Sequence, residues 1–263
     1  MSREGSSPFV PLRLRGLFQT AWGFYRGSFG RMVPPSLALT VPLFLVPLIA
    51  FTLWRGEDSS DAVWAGVFFA RESIFQFVGS VMVGLGAVIM TDGLRERRTT
   101  VAEARVRVRP QRSSLTVVAL YSVMLGLAGQ LLPMFALVLP LLVLGPPILV
   151  HVVTLENKPV QEAVSRTRAL LKGQTLRLLG SLFPLILIMR FLELVVYFAV
   201  FGMLDALGVE QDAALRILQG VLTGLLFGLV ILPFTASLSL AAYLDLRARA
   251  ERFDLETLEA EAL

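Results

Sequence analysis

Arg190 and Glu193 stand in the middle of an otherwise apolar stretch, LFPLILIMRFLELVVYFAVFG (182–202). Three positions apart on a helix, they are neighbours and can form an ion pair. A charge at the centre of a bilayer costs roughly 2.5–3.5 kcal/mol on insertion scales, so such residues face a bundle interior or a watery cavity. Pairing lowers that cost and rarely abolishes it. Three uses of the pair stay open. It is glue between helices, joined by Gln219, Thr223, Ser237 or Ser239 of the last apolar run; it lines a substrate or proton path; or it docks another membrane subunit.

Other chemistry-bearing patterns are sparse. His151 is the single histidine and cysteine is absent, which leaves neither the paired histidines of HExxH nor a thiol nucleophile. No GxSxG elbow occurs, and RGSFG (26–30) has its glycines at the wrong spacing. TDGLR (91–95) is similar to the Asp-Gly opening of phospholipid-synthesising alcohol phosphotransferases. Those enzymes hold metal with further aspartates on a following helix, whereas Glu96 and Glu103 fall among arginines here. Asp92 is expected instead at the end of a span, beside Arg95. His151 is expected at an interface, hydrogen-bonded to a loop carbonyl. No cofactor and no metal site are expected.

The elements that carry these residues follow from hydropathy. The chain is 55% hydrophobic and 17% charged, with mean hydropathy +0.71, against roughly 25% charged in soluble domains. Long runs lack any charge: 32–54, 73–91, 113–150, 194–204 and 217–244. A span needs about 20 mainly apolar residues. The reading is an all-α integral membrane protein of six transmembrane helices, at about 32–54, 73–91, 113–130, 133–151, 178–204 and 217–244. The run 113–150 is long enough for a tight hairpin turning near Gly129–Pro133. The first run starts too late, and is too long, for the core of a signal peptide.

Charge distribution supports that count, because cytoplasmic loops collect Lys and Arg. Residues 1–31 carry Arg3, Arg13, Arg15, Arg26 and Arg31. The 92–112 loop is dense in arginine, and 151–177 holds Lys158, Arg166, Arg168, Lys172 and Arg177. The 55–72 and 205–216 loops are acidic on balance. Both termini are therefore expected in the cytoplasm of a bacterial inner membrane.

The basic segments resemble one another. TVAEARVRVR (100–109) and PVQEAVSRTR (159–168) share Val, Glu and Ala at an offset of 59; FYRGSFGRM (24–32) and LLKGQTLRL (170–178) share a basic-Gly pair and a following Arg at an offset of 146. Apolar residues recur at helical spacing in each, and Thr100 with Glu103 has the form of a capping box. One reading is plain basic linkers. The other is three interfacial amphipathic helices, each preceding a membrane hairpin. In that second reading Arg26, Arg31, Arg105, Arg107, Arg109, Arg166, Arg168, Lys172 and Arg177 meet anionic headgroups. Residues 1–31 then form the cytoplasmic N-terminus, 32–246 the membrane domain and 247–263 an acidic tail. Gly220, Gly224 and Gly228 form a small-residue stripe that lets a second helix approach closely, in this chain or in another copy.

LFQTAWGFYRGSFGRMV, AVSRTRALLKGQTLRLLG and AAYLDLRARAERFDLETL together resemble the membrane domain associated with glycerophosphoryl diester phosphodiesterases, and related bacterial six-span proteins. The resemblance implies an architecture; the catalytic barrel fused to that domain in some members has no counterpart in this sequence. The expectation is a non-enzymatic membrane scaffold or accessory subunit that contacts anionic lipid and a membrane-protein partner or a second copy, with no nucleic acid. The alternative is a small transporter or lipid-handling permease built on Arg190 and Glu193.

Overall fold

The structure is a computed structural model that describes residues 11–53, 61–131, 139–178, 180, 191, 192, 194, 195, 198, 199, 202 and 213–251. Among these the fold is all-α, with no strand. Its helices include α1 (Leu14–Leu53), α2 (Asp61–Leu94), α3 (Val101–Val108), α4 (Arg112–Leu131), α5 (Leu139–Leu155), α6 (Val160–Leu171), α7 (Ala213–Leu226) and α8 (Leu232–Ala250). A 3₁₀ turn, Arg109–Gln111, joins α3 to α4, and a π turn, Phe227–Ile231, joins α7 to α8.

Among the described residues, three helical segments are long and apolar enough to cross a membrane: Arg15–Val46, Ser73–Leu94 and Gly220–Ala250. Gly145–Leu155 is a shorter apolar helix. These lengths are compatible with a membrane-embedded chain.

α1 does not break at Arg31, where an interfacial helix was expected to hand over to a span. Its buried positions Leu17, Ala21, Tyr25, Ser28, Met32, Ser36 and Thr40 lie three or four residues apart, straight through the expected boundary. One continuous stripe therefore packs on α7 and α8, and burial of that stripe outweighs the two amide donors lost at Pro34 and Pro35. α2 lies against α1, α4 and α8, while α5 packs on α2, α4, α6 and α8. At the centre Gly86 leaves room for Met32 and Ala236: a Cβ there would sit 2.8 Å from the Met32 Cε and 3.3 Å from the Ala236 Cβ.

The glycine stripe of the last long rod faces α1. A Cβ on Gly224 would lie 3.0 Å from the Val41 Cα, and one on Gly228 would lie 2.7 Å from Leu37 Cδ2 and 3.0 Å from its Cα. Gly220 is also buried. The close approach lets the Thr40 hydroxyl donate to the Gly224 carbonyl at 2.9 Å.

One turn later the helix widens. Pro233 has no N–H to give the Leu229 carbonyl four residues back. The Tyr25 hydroxyl donates to that oxygen instead, at 2.9 Å. The local ladder shifts to i→i+5, with the Leu232 amide on the Phe227 carbonyl.

Candidate functional site

The polar chemistry of the described residues gathers at one end of the bundle, where α2, α5 and α8 finish. A buried carboxylate stands at or near each of these ends, and each meets arginine from a basic segment. Asp92, 1% exposed, accepts from Arg107 of α3 at 2.6 Å, lies 3.7 Å from Arg95, and also accepts from the Thr99 hydroxyl. Glu156 follows α5. It accepts from Arg166 of α6 at 3.0 Å and from the Tyr243 hydroxyl at 2.9 Å, with Arg247 at 3.9 Å. Asp245 accepts from Arg177 at 2.8 Å and Arg249 at 3.1 Å, and from the Leu12 amide at 2.6 Å.

Local sequence explains why the arginines reach these acids. The Thr100 hydroxyl accepts from the Glu103 amide and the Glu103 carboxylate accepts from the Thr100 amide, the expected capping box. These bonds from Thr100 hold the Glu103 carboxyl below its usual range. α3 thus starts at a fixed place, and Arg107 projects back over the end of α2. α6 starts after Pro159 and buries Ala163, Thr167 and Leu170, which leaves Arg166 beside Glu156. Gly173, with φ of +74°, ends α6 in the left-handed region that glycine adopts freely. The chain then turns so that Arg177 meets Asp245 and also donates to the Leu12 carbonyl at 2.7 Å. Arg249 donates to the same carbonyl at 2.7 Å, so Leu12 is held through both its backbone groups.

The Glu156 cluster extends to Glu251, which accepts from Arg247 at 3.0 Å and from Arg166. Burial raises the Glu251 carboxyl, but Arg247 and Arg166 outweigh it and the net shift is downward. Burial likewise opposes the charge on Arg166, and Glu156 and Glu251 together push its guanidinium above the ordinary value.

His151 departs from expectation. It is fully buried, and its Nε2 lies 2.9 Å from the Ser239 hydroxyl rather than on a loop carbonyl. The α5 face that carries it is covered by α8, with the Tyr243 ring centroid 5.5 Å away.

No family model, characterised protein or solved structure matches this chain.

The residues singled out from sequence divide into groups. Arg190 and Glu193 lie outside the described residues, as does the tail 252–263. Gln219 is helical and Thr223 half-buried. Ser237 donates to the Pro233 carbonyl, and Ser239 lies against His151 and the Ala236 carbonyl. Among the basic residues, Arg26, Arg105, Arg109, Arg168 and Lys172 are exposed, and Arg31 is half-buried. Arg107, Arg166 and Arg177 are engaged by the buried acids. Sequence reasoning missed Glu156 and Asp245 as anchors. The available signal was a lone acid at the end of an apolar run that borders an arginine-rich segment.

Proposed function

We propose that this chain is a non-enzymatic, six-span membrane scaffold or accessory subunit whose arginine-rich end lies on the cytoplasmic side of a bacterial inner membrane and contacts anionic lipid. The carrying observation is the construction of that end. Buried Asp92, Glu156 and Asp245 hold the basic segments in place, while the outward side chains of those segments stay free for the surroundings. Exposed Arg105 and Arg109 flank Val106, which is 68% exposed, and Leu176, 82% exposed, follows Lys172. Exposed cations beside exposed apolar side chains suit the headgroup region, where each basic residue near an anionic surface contributes about 1 kcal/mol.

Arg107 and Arg166 support a duplicated plan. They stand 59 residues apart, the offset at which the two basic segments align, and each pairs with the carboxylate that ends the preceding helix. The 24–32 and 170–178 segments differ more, since the first lies inside α1 and the second spans the turn at Gly173. The resemblance to the membrane domain associated with glycerophosphoryl diester phosphodiesterases fits the same architecture.

Purified protein in bicelles of mixed phosphatidylglycerol and phosphatidylcholine tests the lipid reading. Lipids retained after detergent extraction should be enriched in phosphatidylglycerol. Combined Arg105→Gln, Arg109→Gln and Arg168→Gln should bring retention back toward the mixing ratio. Equal retention of both lipids by the unaltered protein would sink the reading. The scaffold role predicts a stoichiometric membrane-protein partner on gentle purification, and an isolated monomer counts against it.

A further inference from the structure

A groove of about 310 Å³ runs between α1 and the last turn of α2, lined by Thr20, Gly23, Phe24, Gly27, Ser28 and Arg31 from α1 and by the end of α2 at Met90, Gly93 and Leu94. We propose that it holds the phosphate of one phospholipid headgroup, with Arg31 as the binding cation. This rests on the membrane reading above and deepens it from a general attraction to a defined site.

Arg31 is positioned for the task. Its Nη2 donates to the Gly27 carbonyl at 3.0 Å, which folds the guanidinium along α1 and toward Gly93, whose Cβ position would lie 3.6 Å from that nitrogen. Its Nη1 is shielded from solvent and has no acceptor. A shielded N–H of a cation without a partner is costly, and an anionic oxygen is the partner that relieves the cost best. Asp92, beside Gly93 of the groove lining, accepts from Arg107 and Thr99 and lies 3.7 Å from Arg95, so its carboxylate is already engaged.

Depth and shape select the ligand. On the opposite face of the same turns, Trp22 and Phe29 are 52% and 41% exposed and flank Tyr25, with ring centroids 5.3 and 5.4 Å from it. Arg26 is exposed between them. Exposed aromatics with arginine mark the headgroup level of a span, so the groove opens at that depth. Gly23 and Gly27 leave its floor open, with nothing within 4 Å of a Cβ at either position. The phosphate can therefore approach the α1 backbone while the acyl chains leave toward the bilayer.

Native mass spectrometry of the full chain extracted in mild detergent tests the site. One phospholipid should survive delipidation on the unaltered protein. Arg31→Gln should lower its occupancy about tenfold or more, as loss of a charge-assisted bond implies. Gly27→Leu should do the same by filling the groove, and the open space at that position lets the variant fold. Inorganic phosphate at millimolar concentration should not displace the lipid. Retention of the lipid in both variants overturns the proposal, and so does displacement of the lipid by millimolar inorganic phosphate. The combined Arg105, Arg109 and Arg168 substitutions separate the two readings: they should abolish phosphatidylglycerol enrichment while sparing the groove lipid. A groove lipid lost on Arg31→Gln, with no phosphatidylglycerol preference in any variant, upholds the site and refutes the wider lipid reading.

Discussion

Glu156 and Arg247 are each almost fully buried, where a charge without a partner is costly. Glu156 receives Arg166 and Tyr243, and Arg247 is held between Glu156, Glu251 and the Tyr243 hydroxyl at 3.3 Å. Removing one partner of such a group strands the other, which costs about 3–5 kcal/mol. Glu156→Gln should therefore lower the thermal unfolding midpoint in detergent far more than Lys158→Gln, whose pair with Glu162 at 3.7 Å is more exposed. Equal effects would show that the cluster is not a stabilising anchor. Glu251 adds a pH dependence. Its folded-state carboxyl titrates below the ordinary 4.5, so its contribution is fully present above the unfolded value. That contribution is lost as pH falls through the lower folded value. Stability should drop on acidification below pH 4.5, and Glu251→Gln should flatten that part of the profile. A profile unchanged by the substitution would remove Glu251 from the latch.

At the scale of elements, the α1 contact with α7 and α8 combines a feature legible in sequence with one that was not. The Gly220, Gly224 and Gly228 stripe announces close packing by its spacing alone. Its partner in α1 lies far away in the chain, so pattern cannot choose between α1 and a second copy. The capping box at Thr100 was legible because all its parts lie within four residues. The pairing of the other buried acids, Glu156 and Asp245, was not, because Arg177 and Asp245 are 68 positions apart: a lone acid closing an apolar run marks an anchor without saying which arginine meets it. Continuity of α1 was hidden by Arg26 and Arg31, which suggest an aqueous boundary although the buried stripe runs on beneath them. Two substitutions probe this contact. Gly228→Ala puts a methyl 2.7 Å from Leu37 Cδ2 and 3.0 Å from its Cα, and overpacking of that kind costs about 1–3 kcal/mol. Tyr25→Phe leaves the Leu229 carbonyl without its donor, at about 1–3 kcal/mol. Pro233→Ala supplies a backbone donor for the same carbonyl and should recover part of the Tyr25→Phe loss. A double-mutant cycle reads that coupling, and strict additivity would separate Tyr25 from the π turn.

For the whole molecule, the polar clusters constrain how many bilayer crossings the proposed architecture can have. Leu12, Arg177 and Asp245 are hydrogen-bonded together, and Glu156 reaches Tyr243 two residues before Asp245. All four points lie at one end of the bundle, so in the proposed membrane architecture they share a side and the number of crossings between any two of them is even. In the proposed architecture the segment between Leu12 and Glu156 makes one return through α1 and α2. It also contains α4 and α5, which either cross fully or dip in and come back. Six spans require the first; a re-entrant pair gives four. The sequence contains no cysteine, so single cysteines report topology without background. Ser59→Cys should react with an impermeant maleimide from outside in intact cells, and Arg98→Cys only after permeabilisation. Met134→Cys, between α4 and α5, decides the count. Labelling from outside establishes a full hairpin and six spans. Protection from both faces, with Ser59→Cys still labelled outside, means that α4 and α5 turn within the membrane, and the six-span architecture then fails even though the anchored arginine-rich end stands.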